Sequence, residues 1–466
     1  MSQLRVLACR RALSFIMLSV RDVFNSVSRA RLIGDGAAVL ADICTDSRTL
    51  KPGELFVALR GDNFDANQFA VAAQAAGANA VMVERWVEGL KPPALIVADA
   101  RIALGEIAIG WRQRFTLPVI AVTGSNGKTT VKEMIAAILT EHVGAAHALA
   151  SPGNLNNDVG VPLSVFRLRE THRAAVLELG MNRRGEIAWL ARIAQPQVAL
   201  VNNAQREHQE FLDSVQATAL ENGAALAALP DDGTAVFPGD DACTSIWRDL
   251  SGVRRRIEFG LGAGHAVWAD ASAQIEGFTL HHADQTVAVS VAIAGQHNVR
   301  NALAAAASCL AIDVPLTTIA RGLAAFKPVK GRLVSHLLTN GTRLIDDSYN
   351  ANPDSVRAAI DVLASRAAPR VLVLGDMGEV GTEGPQFHVE VGAYARERGV
   401  DHLLAFGSAS VDSVASFGQS GEHFDQLEEL NARARMLATR NATVLVKGSR
   451  FMRMERVVAH LLAETN

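Results

Sequence analysis

Apolar residues along this chain follow two periods that take turns. Short, nearly continuous apolar runs occur at Val119–Val122, Ala174–Leu179, Val198–Asn202, Arg343–Asp346, Arg370–Leu374, His402–Phe406 and Thr443–Val446, each ending in polar or glycine-rich residues. Runs of this kind are what strands buried on both faces look like. Between them lie stretches of helical spacing, clearest where Met134, Ile135, Ile138 and Leu139 recur on one face. Strand and helix in alternation predict mostly parallel sheets, with ligands held at the carboxyl ends of the strands.

The pattern divides the chain at about residues 98 and 326. The first segment, 1–98, carries a polar turn (Thr45-Asp-Ser-Arg-Thr-Leu-Lys-Pro-Gly53), a run at Leu55–Leu59, an alanine-rich helix near Val71–Ala76 and runs at Ala80–Val83 and Ala94–Val97. It reads as a small α/β domain. The second, 99–326, is a mononucleotide-type parallel sheet. Within it Arg254–Phe259 and Thr286–Ile293 read as short strands with glycine turns, and an antiparallel extension is expected there. The third, 327–466, opens at Lys327-Pro-Val-Lys-Gly-Arg332 and repeats the strand–helix grammar. Its glycine turn, Gly375-x-x-Gly378-x-x-Gly381, follows a strand but is not G-x-G-x-x-G. A Rossmann-like fold is expected; NAD binding does not follow.

Composition narrows the class. The chain has 466 residues, 49% hydrophobic and 20% charged, with a formal net charge of −3. That is an ordinary globular mix with no basic excess to favour nucleic acid. Four scattered cysteines without C-x-x-C spacing argue against a disulfide framework or thiolate metal site and suit a reducing cytosol. No run reaches the roughly 18 apolar residues of a spanning helix. Arg10 and Arg11 before Ala12–Val20 have the outline of a signal sequence, but Arg21 and Asp22 follow at once and a small-x-small cleavage site is lacking. A cytoplasmic protein is expected, with Met17 a candidate start.

The strongest chemical signal is Thr123-Gly-Ser-Asn-Gly-Lys-Thr-Thr130, set between a strand and a helix. Backbone N–H groups and the helix dipole attract an anion there, Lys128 adds a point charge, and the Thr129 hydroxyl can hold Mg²⁺. Val122 stands where the strict G-x-x-x-x-G-K-[ST] spacing needs glycine, so the loop is a shorter variant. Glu178 ends the next strand, and His208 lies just beyond the one after. A hydroxyl and a carboxylate suit Mg²⁺; histidine is a less usual ligand for it. Asparagines gather at Asn154, Asn156 and Asn157, at Asn298 and Asn301, and at Asn350 and Asn352 beside Asp347 and Tyr349. Each group can be a turn or helix cap, or a recognition site for an amide-rich ligand. Lys447 and Arg450 place two cations in a glycine turn after the last strand, suited to a carboxylate or phosphate.

Together these residues resemble the Mur ligases, ATP-dependent amide-forming enzymes of peptidoglycan synthesis. The matching motifs run in family order: T-G-S-N-G-K-T-T, G-N-L-N-N-D-V-G-V-P-L, L-E-L-G-M-N-R-R-G-E-I, G-Q-H-N-V-R-N-A, G-R-L, D-D-S-Y-N-A-N-P-D-S and K-G-S-R. The D-S-Y-N-A-N-P and E-L-G-x-N-x-x-G-E-I forms resemble the members that add D-alanyl-D-alanine. The resemblance implies a monomeric cytoplasmic ligase acting on UDP-N-acetylmuramoyl-tripeptide through an acyl phosphate, with ATP and Mg²⁺, no nucleic acid and no membrane insertion. By motif, Lys128 and His208 are catalytic. Thr123, Gly124, Ser125, Asn126, Gly127, Lys128, Thr129 and Thr130 would cradle ATP; Asn301 would meet adenine, and Arg332 and Asp347 would reach the nucleotide from the third domain. Thr129, Glu178 and His208 would serve the metal. Ser47 and Arg48 would lie at the uridine site of the first domain. Asn154, Asn157, Tyr349, Asn350, Asn352, Lys447 and Arg450 would bind substrate.

Two departures stand out. The family commonly holds a second metal with a carbamylated lysine after the His208 motif, yet no lysine occurs between Lys132 and Lys327. Glu221 and Asn222 are the candidate substitutes, the alternative being a more loosely held metal. Asp65-Ala-Asn67 also replaces the glycine and histidine expected near the uridine site. Three other readings compete. Folylpolyglutamate synthetase shares the phosphate loop but not the asparagine-rich motifs. A P-loop kinase or GTP-binding switch would bring an N-K-x-D motif, which is lacking. A non-catalytic ATP-binding module leaves Glu178, His208 and the third-segment motif without a role.

Overall fold

A computed structural model describes residues 18–61, 63–207, 210–270, 272 and 277–463. The candidate ligand His208 and the candidate start Met17 lie outside the described residues. The chain forms two compact units. One comprises the described residues up to Leu117 with Ser151–Arg173 and Arg192–Gln195; the other comprises Pro118–Ala150, Ala174–Ala191 and the chain from Pro196 onward.

In the first unit a five-stranded sheet runs in the order Ala30–Ile33, Ala94–Val97, Ala80–Val83, Leu55–Val57, Ile43–Cys44. Only the first pair is antiparallel. Ala80–Val83 and Leu55–Val57 are buried at every position, as their unbroken apolar character predicts. The Asp65–Asn67 departure is a local structural device. Asp65 caps a short 3-10 helix, bonding Asn67 N (2.9 Å) and Nδ2 (2.6 Å), while Asn67 Oδ1 accepts from Glu84 N at 2.9 Å. The Asn67 amide, then Arg85, hold the Asp65 carboxyl down at about 2.

The second unit holds two sheets. The nine-stranded one runs Ala148–Ala150, Ala174–Glu178, Val119–Thr123, Val198–Val201, Thr234–Pro238, Arg255–Leu261, Val267–Ala269, Phe278–His282, Gln285–Val289. Strand order reverses around Val119–Thr123, so its carboxyl end is the crevice where a ligand is expected. The helix Lys128–Val143 packs on this sheet against Gln296–Leu310. Six consecutive side chains of the latter, Ala302–Ala307, are fully buried. Small side chains there let two helices share one sheet face.

The antiparallel extension is real but its first antiparallel strand, Phe278–His282, comes two strands later than expected. Arg255–Leu261 pairs in parallel with Thr234–Pro238, and Val267–Ala269 is parallel again; only the last two strand pairings are antiparallel. A parallel return normally needs a long crossover. Here Gly262 (φ +87°) and Gly264 (φ +120°) turn the chain back within a few residues, a conformation open to glycine. The sequence also concealed the strand Thr234–Pro238, buried throughout but ending in proline.

The six-stranded sheet runs Val334–Leu337, Arg343–Asp347, Thr443–Lys447, Arg370–Gly375, His402–Phe406, Gly421–Phe424, parallel except for the first pair. The last-formed strand lies between two earlier ones, which brings Asp347 and Lys447 side by side at the carboxyl edge.

Candidate active site

The phosphate loop leaves Val119–Thr123, an interior strand of the large sheet. Gly127 caps the following helix at φ +81°, and a Cβ there would lie 2.6 Å from Asn301 Oδ1, so glycine is required twice over. The loop's early N–H groups are already engaged. Gly124 N donates to Asn222 Oδ1 at 2.9 Å, Ser125 N to Asn203 O at 3.2 Å, and Asn126 N to Asn203 Oδ1 at 2.9 Å. An anion is therefore left the first-turn N–H groups of Lys128–Val143, which helix geometry keeps unpaired, together with the dipole. Lys128 Nζ lies folded back on the loop, donating to Gly124 O (2.6 Å) and Ser125 O (3.0 Å), with the Glu207 carboxylate 3.3 Å away.

A chain of carboxamides supports the loop from below. Asn202 Nδ2 donates to Asn126 O (2.8 Å) and to Asn301 Oδ1 (2.9 Å), and Asn301 Nδ2 donates to Asn298 Oδ1 (2.8 Å). Asn301, expected at adenine, is thus buried under Gly127 and braces it. His297 lies half-buried beside this chain, its Nε2 3.0 Å from Asn298 Nδ2. Burial, then the Lys447 ammonium, lower its pKa to about 4. Asn202 and Asn203 were not singled out by sequence; two successive amides at the end of the strand beside the phosphate loop were the available signal.

Residues flanking the second sheet's strands meet the loop from the other side. Arg332 Nη2 donates to Thr129 Oγ1 at 3.0 Å, and its guanidinium lies 4.4 Å from the Tyr349 ring centre; Arg450 lies 5.9 Å from the same ring. Asn352 caps the helix Pro353–Ala364 and exchanges amide hydrogen bonds with Asn126, at 2.9 and 3.3 Å. Lys447 Nζ donates to Asp347 Oδ2 (2.6 Å) and Asn350 O (2.9 Å). Burial pushes the Asp347 carboxyl above its ordinary range, against the pull of Lys447. Asn350 itself is exposed.

The donor set suits Mg²⁺. Glu178 is the register partner of Val122, one strand over from the loop, and is buried. The Thr129 hydroxyl lies in the helix's first turn, and the buried Asn202 Oδ1 accepts no hydrogen bond among the described residues. These are hard oxygens, and Mg²⁺ characteristically takes one or two protein ligands with substrate phosphates completing its shell. Both candidate substitutes for the missing lysine have structural duties. Glu221 accepts from Gly185 N (2.8 Å) and Ile187 N (2.9 Å) at the start of helix Glu186–Ala194. Asn222 holds Gly124 through Oδ1 and donates from Nδ2 to Thr218 O at 3.1 Å.

Ser47, Arg48, Asn154 and Asn157 belong to the first unit. Arg48 is largely exposed and pairs with Asp46 at 2.7 Å, which holds the Asp46 carboxyl down at about 2. Asn157 Oδ1 accepts from Gly160 N at 2.8 Å at the start of helix Gly160–Val165; Asn154 is exposed.

Known proteins are similar to this chain along nearly its whole length. Residues 122–309 match the Mur ligase middle domain and residues 331–450 the Mur ligase, glutamate ligase domain. The chain is 41% identical over 433 residues to the UDP-N-acetylmuramoyl-tripeptide–D-alanyl-D-alanine ligase of Escherichia coli K12, covering 91% of this chain and 95% of that one. The enzyme of the same name from Haemophilus influenzae is 37% identical, with 93% and 96% covered. A crystal structure of MurF from Acinetobacter baumannii superposes with a TM-score of 0.89 at 33% identity, over 96% of this chain and 99% of that one. With two family domains matched in order and relatives aligned along nearly its whole length, the chain belongs to the Mur ligase family.

Proposed function

We infer that this protein joins D-alanyl-D-alanine to the terminal carboxylate of UDP-N-acetylmuramoyl-tripeptide at the expense of ATP, in cytoplasmic peptidoglycan precursor synthesis. The observation that carries the reading is the amide pair between Asn126 and Asn352. It joins the phosphate loop to the Asp347–Asn352 segment, so phosphoryl donor and amine acceptor are served by one continuous set of side chains.

The substrate carboxylate attacks the γ-phosphorus, ADP leaves, and an acyl phosphate forms. The dipeptide amine then adds to its carbonyl, and the tetrahedral intermediate expels phosphate as the nitrogen loses a proton. Such chemistry depends on positioning and on neutralising phosphoryl charge. Lys128 swings from Gly124 O and Ser125 O onto the β- and γ-phosphates, leaving Glu207. Arg332, already at Thr129, adds a second cation on the far side. Mg²⁺ held by Thr129 and Glu178, with His208, would supply further neutralisation of phosphate charge. Tyr349, clasped between Arg332 and Arg450, walls the dipeptide site with Asn350 and Asn352, and Lys447 fixes the backbone there through Asn350 O. Ser47 and Arg48 take the uridine nucleotide, and Asn154 and Asn157 the rest of that substrate. In this reading the three functional segments are 1–98, 99–326 and 327–466, acting as a monomer.

Phosphate release measured with UDP-N-acetylmuramoyl-tripeptide and ATP, with and without D-alanyl-D-alanine, tests the assignment. Release should require the dipeptide. Release indifferent to it, or requiring a free amino acid instead, sinks the reading.

A further inference from the structure

The loop after Val198–Val201 has two working faces. One grips the phosphate loop: Asn203 Nδ2 donates to Asn126 O (3.0 Å), Gln205 N to Ser125 Oγ (2.9 Å), and the Glu207 carboxylate accepts from Lys128. Arg206, between the last two, faces the other way. Its backbone N–H donates to Asp354 Oδ2 at 2.9 Å and its Nη2 to Asp354 Oδ1 at 2.5 Å. Nη1 and Nη2 donate to the two oxygens of Glu390, at 2.7 and 3.0 Å. The guanidinium lies 5.1 Å from the Phe387 ring centre, and Arg357 holds Glu390 from behind at 2.9 Å. Glu390 and Asp354 raise the Arg206 pKa, and Arg206 keeps the Glu390 carboxyl low.

Isolated surface ion pairs are worth little, but this one differs in geometry. Arg206 is about a quarter exposed (23%), as is Asp354. It meets two carboxylates fork to fork and adds a main-chain bond. Asp354 sits in the first turn of Pro353–Ala364, the helix capped by Asn352. That helix begins directly after Tyr349 and Asn350.

We propose that Arg206 is a positioning residue that couples nucleotide occupancy of the phosphate loop to the placement of the 347–354 segment that receives the amine substrate. The proposal rests on the ligase reading above. Coupling of this kind travels through contiguous hydrogen-bond networks, and here each link is visible from Lys128 to Asp354. Removing Arg206 leaves the contacts of Asn202, Asn203 and Gln205 with the phosphate loop, so nucleotide binding persists. What is lost is the guanidinium's fork onto Asp354 and Glu390, leaving only the main-chain N–H bond to Asp354.

The test uses the full chain as wild type, Arg206→Ala, Arg206→Lys and Asp354→Asn, with two readouts. In steady-state phosphate release, Arg206→Ala raises KM for D-alanyl-D-alanine about 10-fold, within the usual range of coupling energies. Its affinity for ADP with Mg²⁺ stays within about 2-fold, because the loop contacts remain. Arg206→Lys recovers part of the loss, and Asp354→Asn reproduces it in milder form. In hydrogen exchange, ADP with Mg²⁺ slows exchange in both 124–130 and 347–356 of the wild type, but only in 124–130 of Arg206→Ala. Equal protection of both segments in that variant overturns the proposal, as does a parallel loss of ADP affinity and dipeptide KM. If Arg206→Ala does not fold, the same split is read from the other two variants. A wild type that releases no dipeptide-dependent phosphate defeats the ligase reading, while the exchange pattern still decides the coupling.

Discussion

Two sheets in the second unit end their leading strands in glycine turns, and the turns have opposite fates. After Val119–Thr123 the turn delivers the chain into the helix Lys128–Val143, whose first-turn N–H groups helix geometry leaves without a partner in the helix. After Arg370–Gly375 the turn consumes its own donors: Met377 N donates to His388 Nε2 (3.1 Å) and Gly378 N to Ser449 Oγ (2.7 Å). Asp376 in turn accepts from Ser410 N at 2.8 Å. His388 Nδ1 lies 2.8 Å from Gly384 O and donates to it, since a carbonyl can only accept. The imidazole thus takes a main-chain donor of the glycine turn that an anion would otherwise need. A glycine turn after a parallel strand marks a phosphate site only if it leads straight into a helix whose first-turn donors are left unspent.

The largest effect expected from this contrast is at Lys128. Replacing it with Ala should lower dipeptide-dependent phosphate release by about 10³-fold, the scale for losing a group aimed at developing charge, with the thermal midpoint little changed. Replacing His388 with Ala should act on the fold instead. The buried Met377 N–H loses its partner, costing about 1–3 kcal/mol in denaturant titrations, while ADP affinity is retained. A His388→Ala protein that lost nucleotide binding at unchanged stability would reverse the comparison. His297 supplies a pH signature. It stays neutral in the folded protein down to about 4 and titrates near 6.5 when unfolded, so the unfolded chain takes up the proton first. Stability should be full above pH 6.5 and fall as pH drops toward 4; His297→Gln should flatten that slope. The smallest effect concerns the missing lysine. With Asn222 fixed on Gly124, depleting bicarbonate should leave turnover unchanged, and a bicarbonate requirement would place a carbamate elsewhere.

Much of this was legible because it is local. Parallel strands buried on both faces read as unbroken apolar runs, so Val119–Thr123, Ala174–Glu178 and His402–Phe406 announce themselves, and residues at their ends are placed with them. Thr234–Pro238 escaped because its proline argues against a central strand, and Arg255–Leu261 was given the wrong direction because its short return imitates a hairpin. The amide network was harder. Nothing in the spacing of Asn126, Asn202, Asn301 and Asn352 says that they converge, since four separate turns must first fold. Arg206 left no signal at all: an arginine in a polar loop is ordinary until its partners arrive from two later helices, Asp354 148 residues on and Glu390 184 residues on.

The chain has only two tyrosines. Tyr349 is held between Arg332 and Arg450, whereas Tyr394 lies 4.0 Å beneath Arg357, the same arginine that braces Glu390, and donates to Asp361 at 2.7 Å. Fluorotyrosine labelling would therefore give a two-line ¹⁹F NMR spectrum, one line reporting on the substrate wall and the other on the charge network behind it.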